Sequence, residues 1–94
     1  MGLRSVVERR DVANRDRPKS VPVRPMGEIP VIVRVSWVGG GEEWRAAKAV
    51  RWTSTHVMVM WRDDPKVSTS ERYEWLRAMD VVRTVTWFVP PDQA

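Results

Sequence analysis

The stretch His56-Val57-Met58-Val59-Met60-Trp61-Arg62 is apolar on both alternate faces, with Val57, Val59 and Trp61 on one and Met58 and Met60 on the other. Successive side chains of a strand point to opposite sides, so a half-exposed strand in an antiparallel sheet alternates apolar with polar. This one does not alternate. It needs cover on both sides, and in a chain of 94 residues one cover is the core. The other is a tail, a helix or a partner. That requirement points to a small β domain that holds something against its outer surface.

The domain is expected to be smaller than the chain. Residues 1–30 hold seven Lys or Arg, four Asp or Glu and four prolines, with no apolar run longer than Val6-Val7. Such a segment cannot bury enough apolar surface to offset ordering its backbone, at roughly 1–2 kcal/mol per residue. It reads as a basic N-terminal arm with no core of its own. Residues 31–88 form the expected folded unit, and 89–94 a C-terminal tail. All six tryptophans fall after residue 30, and at about 150–250 Å² buried per large aromatic they suit a core of marginal size.

Composition narrows the class further. With no cysteine there is neither a disulfide framework nor a Cys-based zinc site. Met1-Gly2-Leu3-Arg4 leads into no apolar stretch of signal-peptide length, and nothing approaches a membrane span. The expectation is a protein of a bacterial host's cytoplasm or a virion component, with no membrane association. The net charge of +4 comes mostly from the arm.

Five strands are expected. Val31–Val38 alternates, Gly39-Gly40-Gly41 supplies a hairpin, and Trp44–Trp52 follows with Arg45, Ala47, Ala49 and Arg51 placed outward. His56–Arg62 is third. Asp63-Asp64-Pro65 opens a longer loop, Glu71–Arg77 is fourth, Ala78-Met79-Asp80 is a tight turn, and Val81–Phe88 is fifth. Ser70–Met79 also has helix-favouring composition. Val33, Val35, Val50, Val57, Val59, Leu76 and Val81 are the expected core. Short strands at this spacing predict an all-β fold, a five-stranded antiparallel small barrel with an extended N-terminal arm.

Three stretches carry a resemblance: Glu43–Val50, Val57–Asp63 and Glu74–Arg83. Together they resemble SH3-like and Tudor-like barrels, which share a tryptophan-led second strand, a V-x-V third strand ending in an acid, and a short turn before the last strand. The chain as a whole also resembles small uncharacterised proteins of actinobacterial phages. The barrel resemblance implies an aromatic cage for a methylated cation at the loop end. The position after the acid is Asp64 here, where those families carry an aromatic residue.

Three sets of residues are candidates for function. The loops after the first and third strands would gather Glu42, Glu43, Asp63 and Asp64 beside Trp37, Trp44 and Trp61. Aromatic faces next to carboxylates attract a cation, although Trp37 shares its parity with Val31, Val33 and Val35 and so also reads as core. On the outer face, Met58, Met60, Tyr73 and Trp75 form a patch of the type enriched at protein interfaces, open to a partner or to the chain's own residues 21–30. In the arm, Arg9, Arg10, Arg15, Arg17 and Lys19 could contact phosphates, but Glu8, Asp11 and Asp16 dilute them and no aromatic is available for base stacking.

No catalytic signature is present. The triple glycine is followed by Glu42-Glu43 in place of the Lys of a phosphate loop, and His56 has no second nitrogen or thiol partner. No calcium-loop spacing occurs among the carboxylates. The leading expectation is a non-enzymatic, cofactor-free and metal-free interaction module, phage-derived, that binds a protein or a second copy of itself. The alternatives are a nucleic-acid-binding protein using its arm, and a structural subunit of a phage particle.

Overall fold

The computed structural model describes residues 10–22 and 24–83. Five antiparallel strands form one sheet: β1 (Ile29–Ser36), β2 (Glu42–Trp52), β3 (His56–Arg62), β4 (Glu71–Arg77) and β5 (Val81–Arg83). Their order across the sheet is β4-β3-β2-β1-β5. The expected fifth strand extended to Phe88, and its residues beyond 83 lie outside the described residues. The all-β expectation holds, and the sheet is not closed by strand pairing into a barrel. The helical option at Ser70–Met79 is not taken. That stretch is β4, flanked by one-turn 3₁₀ segments at Ser68–Ser70 and Ala78–Asp80.

The hairpin between β1 and β2 turns on Gly39, Gly40 and Gly41, all with φ between 94° and 112°. L-residues rarely adopt that backbone, and no other described residue does so.

One face of the sheet builds the core from Val31, Val33, Val35 and Trp37, with Ala49, Val59, Trp61 and Leu76. Of the seven expected core residues, Val33, Val35, Val59 and Leu76 are buried there, while Val57 and Val81 pack against it half-buried. Val50 is buried on the opposite side, because β2 carries a bulge. Ala49 pairs with Val59 but Arg51 pairs with Met58, leaving Val50 as the extra residue. The bulge also corrects the expected parity of β2. Ala47 and Ala49 face the core, and Trp44 is 55% exposed on the outer face.

The arm meets both faces of the sheet, and on the outer side of β3 it covers the Met58 end. Val12 is 3% exposed and belongs to the core cluster. Around it the backbone joins two parts of the sheet: Ala13 N–H donates to Ser36 O (2.6 Å), Val38 N–H to Asp11 O (2.9 Å), and Asp16 N–H to Trp75 O (2.8 Å). Bridges pair Val12 with Trp37 and Arg15 with Leu76. The chain then turns over the outer face. Arg51 Nη1 donates to Pro22 O (2.9 Å), and Met26 N–H to Val50 O (2.7 Å). Through Val12, the described part of the arm thus borrows the core of the sheet in place of one of its own.

Truncating the fully buried Leu76 to Ala should cost about 2–5 kcal/mol in urea-induced unfolding. Trp44→Ala should stay within roughly 0.5 kcal/mol of the wild type, as for a surface change that breaks no buried contact.

Candidate functional site

Three clusters of side chains collect at the strand ends and beneath the arm. The first is the tryptophan loop end. The turn after β1 brings Trp37, and the end of β3 brings Trp61, to the same end of the core. Each indole N–H finds a carboxylate: Trp37 Nε1 donates to Glu43 (2.7 Å) and Trp61 Nε1 to Asp63 (3.1 Å). A cation lies against both rings, and it belongs to the chain. The Arg72 guanidinium is 5.5 Å from the Trp37 ring centroid and 6.0 Å from that of Trp61. Arg10 lies 4.8 Å from the Trp37 ring and Arg45 5.6 Å from that of Trp61. At 5% exposure Arg72 is close to Asp63 (3.6 Å) and Glu74 (3.5 Å) through Nε, and its Nη2 donates to the backbone oxygen of Arg10.

Of the loop-end candidates, Trp37, Glu43, Trp61 and Asp63 therefore meet in one cluster, while Glu42, Trp44 and Asp64 stand apart from it. Glu42 pairs with Arg34 (2.9 Å). Asp64 accepts from the Lys66 amide (3.0 Å) and shapes the loop before β4. The loop end is arranged around a cation, and Arg72 already supplies it.

The second cluster fixes the arm. Asn14 Nδ2 donates to Arg34 O (2.8 Å) and to Asp80 (3.2 Å), while its Oδ1 accepts from the Ser36 amide (3.0 Å). Asp80, buried in the turn before β5, pairs with Arg34 at 2.7 Å. Asp16 accepts from Arg77 (2.6 Å) and contacts His56 Nε2 at 3.1 Å. The hydrogen bond from Arg77, and next that from His56, hold the Asp16 carboxyl below its ordinary range.

The third cluster is the outer-face patch. Met58 pairs directly with Trp75, and Met60 with Tyr73. Trp75 is 7% exposed and Tyr73 54%, so the arm covers one end of the patch and leaves the other open. Two adjoining depressions, of about 380 and 360 Å³, share Arg51, Met58 and Tyr73 as lining residues. Pro25, Gly27 and Glu28 wall one, and Arg15, Asp16, Arg17 and Val21 wall the other.

The basic residues of the arm divide. Arg10 donates to Gly40 O (2.9 Å) and Arg15 lies 3.5 Å from Glu74, so both guanidinium groups serve the fold. Arg17 and Lys19 are exposed, and Arg9 lies outside the described residues. No group of three or more His, Cys, Asp or Glu is placed to hold a metal ion among the described residues. No described helix is long and apolar enough to cross a membrane.

No protein-family model matches the chain, and no curated protein or solved structure matches it significantly.

Val12, Asn14, Asp16, Arg34, Arg72 and Asp80 are absent from the sequence-derived candidates. Arg72 alone left a trace, since it shares the parity of Leu76 on β4 and so falls on the core side.

Asp16 ties the arm to β4 through a charge-dependent contact. A carboxyl whose folded pKa lies below the unfolded value of about 3.9 contributes above that value, and its contribution fades as pH falls through the folded pKa. Acidification below about pH 4 should loosen this contact while leaving neutral-pH stability flat. Asp16→Asn should remove that acid-side step, read from Arg77 Nε–H solvent exchange against pH.

Proposed function

We propose that this protein is a non-enzymatic interaction module that binds a protein partner through the outer face of its sheet, at Tyr73 and the adjoining Met60 and Met58. Tyr73 carries this reading. It is a large aromatic left 54% exposed at the edge of a cleft bordered by two stretches of the arm. Tyrosine and methionine supply much of the contact area at protein interfaces, and an aromatic anchor in a pocket tends to dominate affinity. Arg17, Arg51 and Glu28 around the cleft give it a mixed-charge rim suited to a polypeptide.

We read the fold as a small barrel of the SH3-like or Tudor-like kind. The strand order, the one-turn 3₁₀ segment before β5, and the arm reaching from Trp37 to Leu76 support this. A nucleic-acid role for the arm has less support, because Arg10 and Arg15 are spent on the chain's own carbonyl and carboxylate groups.

The test is partner capture by cross-linking in the native host, followed by affinity measurement on the recovered protein. Tyr73→Ala should weaken binding at least tenfold, about 1.4 kcal/mol, without lowering the melting temperature, and Met60→Lys should act in the same direction. Unchanged affinity in both variants would show that the partner binds elsewhere.

A further inference from the structure

Residues 10–16, the strap, share a hydrogen-bond requirement with Arg72. Of the three guanidinium nitrogens of Arg72, Nε faces Asp63 and Glu74, Nη2 donates to the strap's Arg10 carbonyl, and Nη1 is shut off from solvent with no acceptor among the described residues. Buried guanidinium N–H groups need acceptors. Loss of the strap would leave two of the three nitrogens without one.

The strap's own attachment is largely polar. Val12 is its buried apolar residue. The remaining contacts are polar: backbone hydrogen bonds with Ser36, Val38 and Trp75, the Arg10 guanidinium on Gly40 O and the Trp37 ring, and the side chains of Asn14, of Asp16 with His56 and Arg77, and of Arg15 with Glu74. Half-exposed polar contacts contribute little each, so the strap belongs to the part of the structure that opens most easily. Its link to β1 contains Pro18, Pro22 and Pro25, which stiffen the connection without adding donors.

We infer that the strap is a displaceable latch whose release passes through Arg72 to the tryptophan loop end. When residues 10–16 leave, the Arg72 side chain turns out from between the two indoles, and that end of the sheet opens to solvent. Trp61 is the informative position. Among the described residues no hydrogen bond or cation–π contact joins the strap to Trp61, whose ring meets Arg72 and Arg45. This device is independent of which partner the outer face binds.

The experiment is hydrogen exchange by NMR on the full chain carrying Asn14→Ala with Asp16→Ala. The Val38 amide, which donates to Asp11 O, reports the strap; the Trp61 indole N–H, which donates to Asp63, reports the far end; amides within β1 and β3 report the sheet. Val38 and Trp61 should both exchange at least tenfold faster, with the sheet amides unchanged. Placing Arg72→Met beneath the same pair should keep the Val38 effect and abolish the Trp61 effect, with Arg72→Gln as a second replacement if Met does not fold. The inference fails if Val38 is unchanged, or if Trp61 is unmoved while Val38 accelerates. It also fails if Trp61 accelerates equally without Arg72, or if all amides accelerate together.

Discussion

A guanidinium buried under a small sheet is expensive to desolvate, and it persists only when aromatic faces, carboxylates and carbonyls surround it together. Arg72 has all three: Trp37 and Trp61, Asp63 and Glu74, and the backbone oxygen of Arg10. These partners come from four parts of the chain. The hairpin after β1, the end of β3, β4 itself and the N-terminal arm are held in one arrangement by a single side chain. Without it, two indoles and two carboxylates would face a void at the end of the core.

The same arrangement explains why the charged, proline-containing segment described from residue 10 is part of the fold. The sheet alone leaves Val50, Met58 and Trp75 uncovered on its outer face, and a domain of this size can spare little apolar burial. The arm supplies that cover with few apolar residues of its own. Val12 fills the core side, and residues 15–17, 21–22 and 25–28 lie along the outer side. Polar contacts fix its position: Asn14 reads the backbone of β1, and Asp16 reads His56 and Arg77. Tyr73 beside Met60 remains uncovered there, and it is the surface at which we propose a partner binds.

Much of the sheet was legible because strand periodicity is local. His56–Arg62 and Glu71–Arg77 appear with the expected bounds, and the double-sided apolar character of β3 by itself calls for an outer cover. The parity of β2 was not legible, since a bulge at Val50 depends on how β2 meets β3 and leaves no mark in composition. At the loop end, Trp37, Glu43, Trp61 and Asp63 converge as expected, but the cation they surround is Arg72. Core parity with Leu76 on β4 marked it; its charge argued the other way. Val12 and Asn14 were invisible, because a lone valine and a lone asparagine in a charged segment gain meaning only from the distant β1 residues they touch.

Side-chain NMR of Arg72 bears most directly on this account. A buried guanidinium between two indoles, with its Nε facing Asp63 and Glu74, should give a slowly exchanging Arg72 Nε–H signal. Its side-chain protons should be displaced upfield by ring currents, with cross-relaxation to both Trp37 and Trp61. Arg72 protons at the shifts of a solvated arginine, exchanging freely and close to neither indole, would contradict the arrangement on which the arm, the loop end and the outer cleft depend.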